Sequence, residues 1–140
     1  MSAKASIIII NLSQNNLLHL LLLQASSRHQ LRVTYDKLDQ TLLPQLEKFT
    51  SRHRLSWTEV SAVGLILPHS FVAVRLALAV ANTLAWVHKF KIFLLPQAEI
   101  DQVSISSYKK YQPVAFLLPE YASGPRISQT KRRNKIKIER

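Results

Sequence analysis

Four consecutive isoleucines at residues 7–10 place the strongest constraint on the fold of this chain. A run of branched apolar residues favours a β-strand, and a strand that is apolar on both faces must be covered on both sides. The turn-forming sequence SQNN separates this run from a second one at residues 17–23, so the two strands are expected to be antiparallel. Residues 30–35 alternate between polar and apolar, which predicts a third strand with one solvated face.

The pattern then changes from strands to a mixture of helices and strands. Apolar residues recur every three or four positions along one helical face: Leu38, Leu42, Leu46 and Phe49. Pro44 inside this stretch predicts either a kink or a fresh helix start. The sequence SWTE at residues 56–59 has capping-box spacing and predicts a short helix. Residues 62–67 and 91–95 are apolar and predict a fourth and a fifth strand.

These elements follow the order β-β-β-α-(short α)-β-α-β. A helix joins the first and fourth strands, which are therefore expected to run parallel. The order predicts an α/β fold with a five-stranded mixed sheet, of the ribonuclease H-like type found in each lobe of the actin and sugar-kinase superfamily. A chain of 140 residues has room for one such lobe. We assign residues 1–96 to the lobe, 97–125 to a linker and a C-terminal strand that packs back on it, and 126–140 to a basic flexible tail.

The helix predicted at residues 70–88 lacks an ordinary polar face. One apolar stripe contains Leu76, Ala77, Val80, Leu84 and Val87, and a second contains Phe71, Val74, Leu78, Ala81 and Ala85. Arg75 is the only charge on the remaining face. A helix on one side of a sheet normally has a single apolar stripe and a charged opposite face. This helix is therefore either enclosed in a larger core or covered by a partner protein, and the small size of the chain favours the partner.

The net charge of +11 is concentrated at the C-terminus. Residues 126–140 carry seven basic residues and one acid, a net charge of +6, which leaves +5 for the other 125 residues. Such an arm contacts nucleic-acid phosphates or is a solvated terminus that aids solubility. In the first case five basic residues would contact RNA: Lys131, Arg132, Arg133, Lys135 and Lys137. The motif YKKY at residues 108–111 resembles a small single-strand-binding surface, or is an exposed loop.

Composition excludes several kinds of active site. The chain has no cysteine, which excludes disulfides, iron–sulfur clusters, thiolate zinc sites and a cysteine nucleophile. Two glycines are too few to suggest a glycine-rich phosphate loop. The five histidines are scattered and no acid precedes Asp36, so neither a zinc motif nor a two-metal nuclease centre is expected. We predict no catalytic residue, no metal and no cofactor.

Several stretches of the chain resemble the TsaB (YeaZ) family: LLPQL at residues 42–46, LSWTEV at 55–60, PHSFVAVR at 68–75 and AVANTLA at 79–85. Residues 8–13 and 119–127 are also similar to family sequences. The family's GPGSFTG loop has lost its glycines here: Leu67, His69 and Ala73 replace them. Asn11 stands where the family has an aspartate. The chain also has no room for the second lobe of the family.

The resemblance implies a non-catalytic scaffold subunit in the synthesis of threonylcarbamoyladenosine on transfer RNA, next to the anticodon. Family members pair with the catalytic subunit TsaD and with the ATPase TsaE, and the two helices of the first lobe form the pairing surface with TsaD. The implied contact residues are Leu42, Leu43, Leu46, Phe71, Arg75, Leu78, Ala79, Asn82 and Trp86. A homodimer through the same helices is the other assembly considered. The alternative function is a small RNA-binding adaptor that uses the basic arm.

We expect neither a targeting segment nor a membrane span. The apolar run at residues 7–10 is too short for a signal-peptide core. The run at residues 17–23 is too short to cross a bilayer. The expected location is the cytoplasm.

Overall fold

The computed structural model describes residues 6–118, which form a five-stranded sheet with two helices on one face. The elements are β1 (Ser6–Asn11), β2 (Leu17–Leu23), β3 (Arg28–Thr34), α1 (Leu42–Arg52), β4 (Val60–Ile66), α2 (Phe71–His88) and β5 (Lys91–Leu94). The strand order is β3-β2-β1-β4-β5. Strands β1, β2 and β3 pair antiparallel, whereas β1, β4 and β5 pair parallel. The predicted α/β class, element order and parallel pairing of the first and fourth strands are confirmed.

β1 lies at the centre of the sheet and is covered on both faces, as its isoleucines predict. Ile8 and Ile10 belong to the apolar cluster beneath the helices. Ile7 and Ile9 belong to a second cluster on the opposite face, against which residues of the segment 97–111 pack. The helices therefore cover one face of the sheet and this irregular segment covers the other.

α1 begins at Leu42, after a short 3₁₀ turn at Leu38–Gln40. Pro44 lies in its first turn, where backbone N–H groups have no acceptor within the helix, so the proline removes no hydrogen bond. The helix then continues to Arg52, and Pro44 marks a fresh start rather than a kink. The predicted capping box at residues 56–59 is also confirmed, since Ser56 N–H donates to Glu59 Oε1 at 2.9 Å at the start of a 3₁₀ turn.

Gly64, the one glycine among the described residues, lies in the middle of β4 and not in a turn. A Cβ atom at this position would lie 2.6 Å from Cζ of Phe93 and 2.7 Å from Cδ1 of Ile9. Phe93 in β5 and Ile9 in β1 are the cross-strand neighbours of Gly64, and both are buried. Because Gly64 has no side chain, the Phe93 ring can occupy the space next to its Cα atom.

The segment after residue 111 returns to the helix side of the molecule. Val114 forms an antiparallel bridge with Ile92 of β5, with N–H···O distances of 2.7 and 2.8 Å. Leu117 is buried in the cluster beneath the helices. The division of the chain at residues 96 and 125 stays a prediction, and the predicted tail at residues 126–140 lies outside the described residues.

Candidate protein-interaction face

α2 connects β4 to β5 and packs on the sheet through a single stripe of residues: Val74, Ala77, Leu78, Ala81 and Ala85. Ser70 caps its start, because Ser70 Oγ accepts a hydrogen bond from Ala73 N–H at 3.3 Å. Lys89, in the left-handed region at φ 65°, ends the helix. The caps set the ends of α2, and the buried stripe determines which side of the helix faces outward.

Seven residues point outward from α2, and we call them the exposed α2 face: Phe71, Val72, Arg75, Ala79, Thr83, Trp86 and Val87. Its four large apolar side chains are exposed by 59% (Phe71), 76% (Val72), 74% (Trp86) and 53% (Val87). The Arg75 guanidinium lies 5.5 Å from the centre of the Phe71 ring, and Arg75 forms no salt bridge within residues 6–118. One charge among seven exposed residues is unusual for a helix face in water.

Three residues that were predicted to contact a partner belong to the core instead. Leu42, Leu46 and Leu78 are each at most 2% exposed and lie in the cluster between the helices and the sheet. They are occupied by the chain's own packing, so we remove them from the candidate interface. Leu43 on α1 is 42% exposed, and it remains a candidate together with the predicted residues of the exposed α2 face.

Asn82 is also used within the chain. Its Nδ2 donates to the Leu117 carbonyl at 2.9 Å, and its Oδ1 accepts from Leu117 N–H at 2.9 Å. The side chain thus binds a backbone amide as a neighbouring strand would. Asn82 therefore anchors the segment that contains Leu117, and its predicted role as an interface residue stays a prediction.

Replacing Asn82 by alanine is expected to lower the free energy of unfolding by about 1–3 kcal/mol, because both backbone groups of Leu117 lose their partner. Asn82→Asp keeps an acceptor for Leu117 N–H but places a carboxylate oxygen against the Leu117 carbonyl, so the loss should be at least as large as in Asn82→Ala. Urea denaturation monitored by circular dichroism measures both changes. Equal stability of the wild type and Asn82→Ala would contradict the anchoring role.

α2 is long and apolar enough to cross a membrane by length and composition, with a mean hydropathy of 1.5 over 18 residues. Its buried stripe nevertheless packs on the sheet, and its two ends lead into strands that pair with each other. This is the position of a helix in a layered α/β fold. The absence of a membrane contact stays a prediction.

A chain of hydrogen-bonded polar groups, of which Asn11 and His19 are buried, lies at the end of β1 on the sheet face opposite the helices. Ser13 N–H and Oγ–H both donate to Asn11 Oδ1, at 3.0 and 2.7 Å. Asn11 Nδ2 therefore donates to His19 Nδ1 at 3.3 Å, which leaves the His19 proton on Nε2. His19 Nε2–H then donates to Gln30 Oε1 at 2.8 Å. The hydrogen bonds define a neutral His19 in one tautomer.

Burial lowers the pKa of His19, and the nearby charges of Arg32 and Arg28 lower it further, against the opposing effects of the Gln30 hydrogen bond and Asp101. In the unfolded chain the histidine pKa is about 6.5, so the unfolded chain binds the second imidazole proton more tightly than the folded chain does. We expect the free energy of unfolding to be highest above about pH 6.5 and to fall as the pH decreases below it. In His19→Gln the free energy of unfolding should fall less over the same pH range than it does in the wild type. Denaturation curves at several pH values measure it, and identical pH profiles would contradict the assignment.

No group of three histidine, aspartate or glutamate side chains suited to a metal occurs in residues 6–118. The fold does bring His29 and His53 together, with ring centres 4.6 Å apart, which their distance in the sequence did not suggest. The five basic residues predicted to contact RNA, Lys131, Arg132, Arg133, Lys135 and Lys137, lie outside the described residues.

The YKKY motif at Tyr108–Tyr111 is a 3₁₀ turn that packs on the sheet. Tyr111 stacks on Phe93 with ring centres 5.6 Å apart, and its hydroxyl donates to Glu99 Oε1 at 2.6 Å. Burial and this hydrogen bond raise the pKa of Tyr111 to about 12. Lys110 Nζ lies 5.2 Å from the centre of the Tyr111 ring. These contacts give the Tyr111 ring a structural role, and they argue against its use as a stacking platform for bases.

Comparison with known proteins finds similar folds among solved structures. No family model matches the chain, and no curated protein matches it. YeaZ from Pseudomonas aeruginosa aligns with a TM-score of 0.59 and 19% identity, over 66% of this chain and 44% of that chain. An uncharacterized protein with similarity to peptidase YeaZ, also from Pseudomonas aeruginosa, aligns with a TM-score of 0.60 and 18% identity, over 66% of this chain and 43% of that chain.

The chain thus spans less than half the length of these two structures. At 19% and 18% identity, the likeness to these structures establishes the fold and does not establish the function. At the level of the fold, the alignments agree with the sequence resemblance to the TsaB (YeaZ) family: the aligned part of this chain shares its fold with the YeaZ structures, and the predicted α/β architecture with a five-stranded mixed sheet is confirmed.

Proposed function

We propose that this chain is a TsaB-type partner subunit in the modification of transfer RNA with threonylcarbamoyladenosine, and that it binds a TsaD-like catalytic subunit through the exposed α2 face. The observation that carries the proposal is this face, with four exposed large apolar side chains on a helix whose other side already packs on the sheet. The sequence resemblance supports the choice of partner, because it implies pairing through the helices of the first lobe.

The chemistry of the face suits a protein contact. Trp86 and Phe71 are aromatic anchors and Arg75 is the single cation, and these residue types are enriched where binding energy concentrates. Leu43 supplies an exposed apolar residue on α1, so both helices can contribute to the contact that the resemblance implies. In water, the same side chains would leave an apolar strip uncovered along the helix.

The proposal gives the chain a scaffold role and no catalytic step. Leu67 and His69 in the loop before α2, and Ala73 in the first turn of α2, stand where the resembling family has glycines. Side chains at these positions restrict close approach of an anion to the backbone. Packing of one helix pair on another makes no use of such a loop, so the substitutions are compatible with a scaffold.

The test is to mix the full chain with the TsaD-like subunit of the same organism and to measure the mass of the product by size-exclusion chromatography with light scattering. A stable heteromeric complex is the expected result, and addition of a TsaE-like ATPase then tests the third component. A chain that stays a monomer, or that forms only its own dimer, in the presence of the TsaD-like subunit would contradict the proposal. The alternative, an RNA-binding adaptor, depends on residues 126–140 and stays a prediction from the sequence.

A further inference from the structure

A polar cleft of about 290 Å³ lies on the sheet face opposite the helices. It opens between the segment 97–101 and the part of the sheet formed by β2 and the edge strand β3. Its walls include Gln30, Arg28, Arg32 and Asp101. Arg28 Nη2 donates to the Ile100 carbonyl at 3.4 Å and to Asp101 Oδ1 at 3.3 Å, which ties the segment to the sheet. The volume is near the lower end of small-molecule sites, about 300 Å³.

The chain of hydrogen-bonded polar groups at the end of β1 determines which atoms face this cleft. Asn11 and His19 are 6% and 7% exposed. The two hydrogen bonds from Ser13 orient the Asn11 amide, and Asn11 Nδ2 in turn donates to His19 Nδ1. His19 Nε2–H must therefore donate to Gln30, and the Gln30 oxygen is the acceptor. The Gln30 Nε2 group is left as a donor, with no acceptor among residues 6–118.

Arg32 adds a second unmatched donor beside Gln30. It lies opposite His19 in the β2–β3 pair, lines the cleft, and forms no salt bridge within residues 6–118. With His19 neutral, Arg28 and Arg32 outweigh the single carboxylate of Asp101. Gln14 and Gln97 add neutral side-chain amides to the lining. The cleft thus combines the solvent-exposed donors of Gln30 and Arg32 with an excess of positive charge.

We propose that this cleft binds a small anion, a carboxylate or a phosphate group, held by the Arg32 guanidinium and the Gln30 side-chain amide. A guanidinium binds both kinds of group through paired hydrogen bonds. The site is independent of the proposed function, because it lies on the other side of the sheet from the exposed α2 face. Both surfaces can therefore be occupied at once.

The test uses the full ¹⁵N-labelled chain at pH 8 in chloride buffer, titrated separately with inorganic phosphate and with acetate. The expected result is a saturable shift of the Gln30 side-chain NH₂ and Arg32 Nε signals with at least one probe, and the two arms identify the preferred anion. Absence of a saturable shift at these signals with both probes overturns the proposal.

Two variants and a control test the geometry. Arg32→Gln is expected to weaken binding by about tenfold or more, because a charge-assisted hydrogen bond is lost. Gln30→Glu keeps the acceptor for His19 but replaces the donor with a negative charge, and is expected to abolish binding. Arg52→Gln makes the same charge change at an exposed site on α1 and should leave the affinity within about twofold. Equal weakening by Arg32→Gln and Arg52→Gln, or unchanged affinity in Gln30→Glu, would overturn the proposal.

Discussion

Trp86→Glu is expected to weaken binding to a TsaD-like subunit by about 30-fold or more, the effect of losing a hot-spot residue at a protein interface. Trp86 is 74% exposed and makes no part of the core, so the helix should keep its fold. The variant removes the largest apolar side chain of the exposed α2 face and places a charged group where contact with the partner would take it out of water. Ala79→Glu tests the same face at a position where no large side chain is removed.

The matched control is Gln102→Glu, which introduces the same negative charge at an exposed position in the segment on the opposite side of the sheet. Its affinity for the TsaD-like subunit should equal that of the wild type. Isothermal titration calorimetry measures all four proteins, and circular dichroism checks that each is folded. Wild-type affinity in both Trp86→Glu and Ala79→Glu would exclude the exposed α2 face as the contact.

Gly64→Ala is expected to lower the free energy of unfolding by about 1–3 kcal/mol, although alanine is the smallest possible addition. The new methyl group would meet Phe93 and Ile9 at distances well inside van der Waals contact. The Phe93 ring cannot move away freely, because Tyr108 and Tyr111 pack against it with ring centres 5.9 and 5.6 Å away. Thermal and urea denaturation measure the loss.

A double variant tests the cause of this loss. Phe93→Leu shortens the side chain that meets the new methyl group, so it should cost less stability in the Gly64→Ala background than in the wild type. We expect a coupling of about 0.5–3 kcal/mol between the two positions. Ser61→Ala, at a half-buried position of the same strand, should change the stability by no more than about 0.5 kcal/mol. Strict additivity of the two core substitutions would contradict the proposed clash.

The order of elements could be predicted from the sequence because each element has a clear period. The run of isoleucines makes β1 apolar on both faces, and polar and apolar residues alternate along β3. α1 carries one apolar stripe, and Pro44 indicates that a new helix begins near it. The short turn between β1 and β2 fixes their antiparallel pairing, and the helix between β3 and β4 allows β4 to pair parallel with β1. Local patterns and chain connectivity together define the sheet.

The outward side of α2 could not be predicted, because nearly all its faces are apolar. Leu78 and Trp86 are equally plausible interface residues by composition, yet the sheet covers Leu78 and leaves Trp86 exposed. The role of Asn82 depends on Leu117, which lies 35 residues away in the sequence. The anion cleft was missed for the same reason, since its walls come from three parts of the chain. The only local signal was the polar alternation of Gln30 and Arg32.

The order of strands in the sheet also has a consequence for biosynthesis. The β1–β2–β3 meander is local in sequence and can form as soon as it leaves the ribosome, but the parallel partner of β1 begins only at Val60. Until then the isoleucine-rich edge of β1 has open backbone groups, which are a template for pairing with another chain. Non-local parallel pairing is also slow. We therefore expect the interval between the synthesis of β3 and the docking of β4 to be the stage at which the nascent chain most needs protection from aggregation.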